Sequence, residues 1–167
     1  EVPPEELAKL ASSADAQFFS LQKEATLSER SQLGPVTRLE LLMSNFTATA
    51  LLLRQLDLVI TIDTAVAHLA GALGKPVWLL LPFAGEWRWL ENRTDSPWYP
   101  TMRIFRQSEP GDWAGVIAEV TATLEQQPSP EVARHLAKAA EFEKEKQLGQ
   151  AVEQYQLAIG VQPDNAE

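Results

Sequence analysis

The sequence predicts an α/β fold in which helices cover both faces of a parallel β-sheet. Residues 56–82, LDLVITIDTAVAHLAGALGKPVWLLLP, contain two apolar runs rich in Val, Ile and Leu, with an Ala-rich segment between them. Continuous apolar runs are typical of strands that are buried on both faces of a parallel sheet. Two such strands joined by a helix of about ten residues form a right-handed parallel crossover, which sets the fold class.

The chain is expected to begin with a helix and a strand. Residues 3–7 read PPEEL and place proline and acidic side chains in the first turn of a helix. Residues 16–21 form the first expected strand, which ends at Gln22 and Lys23. Polar residues just past the carboxyl end of a strand lie on the edge where open α/β sheets bind ligands. A solvated lysine in a loop is the alternative interpretation of Lys23.

Three shorter elements are predicted before the central unit. Residues 32–35 are expected to form a loop, residues 36–39 a short strand and residues 46–56 a helix. Asn45 stands at the start of this helix, where its side chain can cap a free backbone amide. The apolar face of the helix is predicted to comprise Ala48, Leu51, Leu52 and Leu56.

The central unit places polar residues where its first strand ends. The strand over residues 58–62 stops at Asp63 and Thr64, and either side chain can cap the helix expected over residues 65–73. A helix N-terminus presents free amides and a partial positive charge, so this one is a candidate phosphate site. The candidate residues are Asp63, Thr64, Ala65, Val66 and His68. A plain helix cap and a core histidine that bonds to a backbone carbonyl are the alternatives.

A long aromatic loop follows the second buried strand. Residues 74–76, GKP, end the central helix, and residues 77–81 form that strand. Residues 83–100 show no regular periodicity and contain the triplet Trp87-Arg88-Trp89. A guanidinium between two indoles suits stacking on a base or sugar and pairing with phosphate. Burial of the tryptophans to fasten the loop is the alternative.

The remaining elements divide the chain into two domains. Residues 102–105 are expected to form a strand that ends at Arg106-Gln107, and a helix over residues 111–124 closes the first domain. The predicted domains are residues 1–126 and residues 132–167, joined by a Pro- and Gln-rich linker over residues 127–131.

The second domain resembles a single tetratricopeptide repeat. Two helices are expected, over residues 132–146 and 149–161, and together they cover one period of about 34 residues. Small, aromatic and terminal proline positions of the repeat are occupied by Ala139, Ala151, Ala158, Phe142, Tyr155 and Pro163. One repeat cannot bury its own apolar face, so it is expected to pack on the sheet domain, on a second copy or on further repeats. A two-helix cap on the sheet domain is the alternative.

The composition limits the partners and the location of the protein. A formal net charge of −9 argues against a nucleic-acid partner, and the absence of cysteine excludes disulfides and thiolate metal sites. No apolar run approaches the ~20 residues of a membrane span, and a cytoplasmic location is expected. The histidines His68 and His135 fall in different domains, so no metal site is expected. Because the chain begins at Glu1 without Met and ends like a join between repeats, we expect a piece of a longer protein.

Several linked motifs resemble a known enzyme family. The pattern Asp63-Thr64-x-x-x-His68-Leu69-x-Gly71-Ala72-Leu73, with Pro76-Val77-Trp78 and Pro82 after it, is similar to the nucleotide-sugar half of glycosyltransferase family 9, the heptosyltransferase-like group. Supporting motifs follow the same order: SLQK at 20–23, WRW at 87–89, SPWYP at 96–100, RIFRQ at 103–107 and DW at 112–113. The resemblance spans residues 16–124 and is closest to bacterial members fused to tetratricopeptide repeats.

This resemblance implies a Rossmann-like domain, the C-terminal half of a two-domain GT-B enzyme. Such an enzyme transfers a sugar from a nucleotide-diphosphate donor, with inversion and without a metal or other cofactor. The resemblance implies that Gln22 and Lys23 face the nucleotide or its diphosphate, that the amides of residues 64–66 hold the diphosphate, and that His68 bonds the donor or braces the helix. The general base is expected in an acceptor-side domain that this chain lacks. We therefore expect donor binding without transfer.

Two other functional classes remain open. One is a protein-interaction scaffold, in which a degenerate transferase domain supports the helical repeat and the repeat binds a protein partner. The other is a different nucleotide binder of the Rossmann type, such as a dinucleotide enzyme. The chain lacks the G-x-G-x-x-G turn after a strand that such enzymes use, which favours the glycosyltransferase interpretation.

Overall fold

A computed structural model describes residues 2–13, 16–23, 25–34 and 36–127, together with five separate helical residues, Lys138, Gln150, Glu153, Gln154 and Leu157. The chain divides into two compact units, residues 1–124 and residues 125–167. The predicted repeat over residues 132–167 lies outside the described residues except at those five positions, as does nearly all of the predicted linker. The domain assignment therefore stays a prediction.

The described elements alternate between helices and strands. The helices are α1 (Pro4–Ser13), α2 (Leu27–Gln32), α3 (Phe46–Gln55), α4 (Ala65–Ala72) and α5 (Trp113–Glu125), with 3₁₀ turns at Glu40–Leu42 and Trp87–Trp89. The strands are β1 (Phe19–Ser20), β2 (Thr37–Arg38), β3 (Val59–Ile62), β4 (Val77–Leu81) and β5 (Met102–Arg106). Strands β3, β4 and β5 pair in parallel in that order, and β1 pairs in parallel with β2. The predicted α/β class is confirmed.

Strand β4 is the centre of the first unit, because all five of its residues are buried. Its side chains alternate between the two faces of the sheet, as in any strand. Leu79 and its odd-numbered neighbours join one apolar cluster, whereas Trp78 and Leu80 join the other. Each face of the sheet is therefore covered by its own core.

Different helices cover the two faces of the sheet. Helices α3 and α4 supply Leu53, Ala67 and Ala70 to the first cluster. The second cluster contains α1 and α5 side chains, among them Leu10 and Val120. The small side chains of α4 let its backbone lie close to the strands. This three-layer arrangement is consistent with the predicted Rossmann-like fold and brings the ends of β3, β4 and β5 to one edge.

Strand β3 differs from the prediction that it is buried on both faces. Only Val59 is buried, while the other three residues of the strand are partly exposed. Within the described sheet β3 pairs with β4 alone, so it is an edge strand. The first strand is also shorter than the predicted range of residues 16–21, since β1 comprises two residues.

Helix α3 packs through part of the predicted apolar face. Leu56, directly after the helix, packs on the first cluster as predicted. The buried residues of the helix, however, are Thr49 and Leu53, and Leu51 is 60% exposed. Three consecutive leucines spread apolar side chains around the helix, so the sequence pattern could not choose between Leu51 and Leu53. The predicted cap is confirmed, because Asn45 Oδ1 accepts a hydrogen bond from the Ala48 amide at 2.9 Å.

Helix α4 ends as predicted at a glycine. Gly74 has φ +69°, a left-handed conformation that side-chain-bearing residues rarely adopt. The Lys75 amide then donates to the Ala70 carbonyl at 3.1 Å and closes the last turn. Within the described part of the chain, no helix has the length and apolar character needed to cross a membrane.

Candidate functional site

A cleft opens at the carboxyl edge of the sheet, where ligands bind in open α/β folds. It has a volume of about 340 Å³ and is formed by the end of β3, the end of β4 and the loop that follows β4. The lining residues are Asp63, Leu81, Pro82, Ala84, Gly85, Glu86 and Trp87. Three of the positions singled out from sequence thus reach this part of the molecule: Asp63 and Trp87 line the cleft, and Thr64 directly follows Asp63.

The N-terminus of α4 lies next to the cleft and is not capped by the predicted side chains. Thr64 is the N-cap residue, but its hydroxyl lies 3.3 Å from that of Thr61 and makes no cap hydrogen bond to the described helix. Asp63 is engaged by other side chains, so the prediction that either residue caps the helix is wrong. The first amides of a helix have no partner within the helix. Those of Ala65 and Val66 are therefore available to an anion.

Asp63 is held by two side chains that lie far away in the sequence. Its Oδ2 accepts a hydrogen bond from the indole Nε1 of Trp89 at 2.8 Å. Its Oδ1 lies 3.3 Å from Nε2 of His68. The carboxylate is 21% exposed and lines the cleft, so it is fixed in position while remaining accessible.

His68 contacts two aromatic side chains. Its ring stacks on that of Trp89, with centroids 5.4 Å apart and planes 22° apart, and meets the Tyr99 ring edge-on. Nδ1 of His68 lies 3.0 Å from the Tyr99 hydroxyl. The core-histidine alternative expected a backbone carbonyl as partner. The described contacts are instead side chains, and the His68 side chain is 34% exposed.

Tyr99 is a site residue that the sequence analysis did not single out, although the motif SPWYP contains it. Its ring packs on α4 at Gly71, where a Cβ atom would lie 2.6–3.0 Å from three ring carbons. The Ser96 hydroxyl accepts hydrogen bonds from the Trp98 amide at 3.2 Å and the Tyr99 amide at 3.4 Å, which fixes the turn. The signal available in the sequence was the glycine in the last turn of α4.

The Trp87-Arg88-Trp89 triplet forms a 3₁₀ turn whose two indoles have opposite environments. Trp89 is completely buried in the first core cluster. This tryptophan therefore fastens the loop by burial, which is the alternative to ligand stacking. Trp87 is 76% exposed and lines the cleft, which leaves its ring free to stack on a ligand. The Arg88 guanidinium lies 3.8 Å from the Glu86 carboxylate. Contact of Trp87 and Arg88 with a base or sugar stays a prediction.

Two residues at the end of β5 hold the loop that forms the cleft wall. Arg106 donates a hydrogen bond to the Leu90 carbonyl at 2.7 Å, and the end of its guanidinium lies beside Gly85, where an added Cβ atom would meet it. Gln107 is 4% exposed, and its Oε1 accepts from the amides of Phe83 at 3.1 Å and Gly111 at 3.2 Å. Its Nε2 is buried with no partner among the described residues.

Gln22 and Lys23 are exposed in the loop after β1. The Gln22 amide lies 3.4 Å from the Ser20 hydroxyl. Neither side chain belongs to the described lining of the cleft, so a contact with the diphosphate stays a prediction for both.

The cleft wall carries negative charge on two side chains, Asp63 and Glu86. Among the described residues, no three His, Cys, Asp or Glu side chains are arranged to hold a metal ion. Carboxylate oxygens accept hydrogen bonds from hydroxyl groups and repel phosphate. The edge of the cleft therefore offers amide donors at α4 and carboxylate acceptors on its wall.

Comparison with known proteins supports a glycosyltransferase-like domain. Residues 9–80 match the sequence model of glycosyltransferase family 9 (heptosyltransferase). This range includes β3, α4 and most of β4, but not the loop with Trp87 or the strand β5.

The chain was also compared with curated proteins and with solved structures. Protein FlbA of Caulobacter vibrioides is 33% identical over 84 residues, which is 50% of this chain and 14% of FlbA. The chain therefore spans a small part of the relative that it matches. No solved structure matches this chain.

Proposed function

We propose that this α/β domain binds the nucleotide-diphosphate-sugar donor of a glycosyltransferase. The match of residues 9–80 to glycosyltransferase family 9 supports the class of reaction. The observation that most supports donor binding is the uncapped N-terminus of α4 beside the cleft. Free amides and the helix dipole at that point suit a diphosphate.

The diphosphate is assigned to the first turn of α4. The amides of Thr64, Ala65 and Val66 and the Thr64 hydroxyl donate to it and stabilise the charge that develops on the leaving group. Lys23 supplies a cation from the loop after β1. Asp63, held by Trp89 and His68, accepts hydrogen bonds from ribose or sugar hydroxyls rather than from phosphate oxygens. His68 braces the helix start.

The exposed ring of Trp87 provides a stacking surface for the base or the sugar. It lies on the wall of the cleft, where an apolar sugar face or a base can cover it. The Arg88 guanidinium is the neighbouring cation, and the adjacent Glu86 partly neutralises it.

We assign the transfer step to a longer protein that contains this domain. We assign the general base to an acceptor-side domain, and we assign inversion without a metal to the complete enzyme. The 84 matched residues cover 14% of FlbA, so most of that relative lies outside the match. The isolated chain is thus expected to bind the donor without turnover, and the helical repeat is the expected place for a protein partner.

Calorimetric or NMR titration with UDP, GDP and ADP tests this proposal. One nucleotide is expected to bind, and the variant Thr64→Val, Lys23→Ala is expected to lose at least about tenfold in affinity, because each change removes a contact to the phosphates. The matched control is Thr47→Val, Lys9→Ala, which makes the same chemical changes at exposed positions of α3 and α1. Absence of binding by all three nucleotides, or equal losses in both variants, contradicts the proposal and favours the scaffold alternative.

A further inference from the structure

A continuous chain of polar contacts leads from the aromatic loop to the wall of the cleft. The Tyr99 hydroxyl lies 3.0 Å from Nδ1 of His68, and Nε2 of the same ring lies 3.3 Å from Oδ1 of Asp63. The other carboxylate oxygen accepts from Trp89 at 2.8 Å. Trp89 therefore holds the carboxylate by a hydrogen bond, His68 lies against its other oxygen, and Tyr99 reaches it through the imidazole.

The chemistry of these groups assigns the donors and acceptors along this chain of contacts. An ionised carboxylate only accepts, so a proton on Nε2 of His68 is the form that suits the 3.3 Å approach to Asp63. In the neutral ring Nδ1 is then an acceptor, and the Tyr99 hydroxyl is its donor. The Tyr99 hydroxyl proton then faces the imidazole, and the Nε2 proton lies on the side of Asp63.

The position of Tyr99 is set independently of this chain of contacts. Its ring occupies the space left by the missing side chain of Gly71, and its backbone is fixed by the Ser96 hydroxyl and by the Met102 amide, which donates to the Tyr99 carbonyl at 3.0 Å. The hydroxyl is therefore a fixed reference point for the imidazole.

We propose that Tyr99 is a positioning residue for the cleft, which acts through His68 to hold the Asp63 carboxylate in its ligand-binding orientation. The Tyr99 hydroxyl prevents rotation of the imidazole, and the imidazole keeps its Nε2 proton on Asp63. The ligand part of this inference rests on the proposed donor site, whereas the effect on Asp63 does not require any ligand.

The first test uses the ligand-free protein and the variant Tyr99→Phe, which keeps the ring on Gly71 and removes the hydroxyl. NMR resonances of three groups are compared: the imidazole nitrogens of His68, the Asp63 carboxyl carbon and the Trp89 indole N–H. We expect all three to shift, since Asp63 loses its fixed donor. The control is Tyr155→Phe, at the other tyrosine of the chain, which lies in the second unit. If only the His68 nitrogens shift, the hydroxyl merely fastens the loop and the inference is wrong.

A second test asks whether Tyr99 acts through His68. In His68→Gln the side-chain amide can still donate to Asp63, but nothing remains at the Nδ1 position for Tyr99 to bond. Adding Tyr99→Phe to His68→Gln should therefore leave the Asp63 and Trp89 resonances unchanged. An equal shift from Tyr99→Phe in both backgrounds would show that Tyr99 acts by packing alone.

Nucleotide affinity provides a separate measurement. Titration of the parent protein with UDP, GDP and ADP first identifies the nucleotide that binds. Tyr99→Phe should weaken the binding of that nucleotide by about three- to tenfold, which corresponds to one lost hydrogen bond. The unfolding midpoint of the variant should equal that of the parent protein. If Tyr99→Phe binds the nucleotide as tightly as the parent protein and still shows the expected NMR shifts, the ligand part of the inference is wrong. If no nucleotide binds the parent protein, the donor proposal fails, and the NMR comparison still decides whether Tyr99 positions Asp63.

Discussion

Gly71 shows how one small residue in α4 determines the geometry of the site. The Tyr99 ring lies where its side chain would be, and that ring places the hydroxyl against His68. A glycine inside a helix lowers helix stability by about 0.5–1 kcal/mol relative to alanine. The contact with Tyr99 is thus a physical reason for glycine at this position.

Gly71→Ala is expected to destabilise the domain by about 1–3 kcal/mol, although alanine is the better helix former. The added Cβ atom would lie 2.6 Å from the nearest Tyr99 ring carbon, so the ring must move away from the helix. Urea unfolding measures the change. In a Tyr99→Ala background the same substitution should be neutral or stabilising, and a destabilisation there would show that another contact is responsible.

Asp63→Asn is expected to cost about 1–2 kcal/mol of unfolding free energy. The neutral amide presents an N–H₂ group to either Trp89 or His68, so one of the two donors loses its acceptor. Thermal or urea unfolding measures the loss, with Asp57→Asn as the control at an exposed position just before β3. Equal stability of the two variants would mean that the carboxylate contacts contribute nothing to the fold.

Among the elements, helix α2 is expected to have a pH-dependent stability, because its first turn is closed by a capping box. The Thr26 amide donates to the Glu29 carboxylate at 2.6 Å, and the Glu29 amide donates to the Thr26 hydroxyl at 3.2 Å. Hydrogen bonds from the Thr26 side chain and then its backbone lower the pKa of Glu29 from its ordinary value of 4.5. Ionised Glu29 therefore stabilises α2 above that value.

This stabilisation should be lost as the pH falls through the lowered pKa of Glu29. Amide exchange and amide chemical shifts of α2, followed by NMR from about pH 7 to about pH 3, should show the helix fraying in acid. The control is Glu29→Gln, which keeps a hydrogen-bond acceptor but does not titrate in this range. An acid transition of the same size in that variant would assign the effect to other groups.

The elements that the sequence predicted well depend on local signals. Strand β4, the Asn45 cap and the Gly74 stop are each determined by residues a few positions apart. The site is different, because Trp89 bonds Asp63 across 26 positions and Tyr99 bonds His68 across 31. Both partners come from a loop without periodicity, so only the folded chain shows that they meet at α4. The burial of Trp89, which the sequence left open against ligand stacking, depends on the same contacts.

At the scale of the whole molecule, the first unit contains its own cores. Both apolar clusters are formed by side chains between Val2 and Leu124. A fragment of residues 1–127 should therefore fold cooperatively without the second unit. Its amide NMR spectrum should overlay that of the full chain, and its nucleotide affinity should be equal. A fragment with collapsed signal dispersion would contradict this expectation and assign part of the core to residues 128–167.

The two hydrogen bonds of the Gln107 side chain couple parts of the molecule that otherwise belong to separate loops. One oxygen holds the cleft wall at Phe83 and, at the same time, the turn at Gly111, two residues before α5 begins. Helix α5 then runs to Glu125, the first residue of the second unit. An outward shift of the wall must either break one of these bonds or pull on the start of α5. The Gln107 side-chain amide therefore links the cleft wall to the chain segment that leads out of the domain.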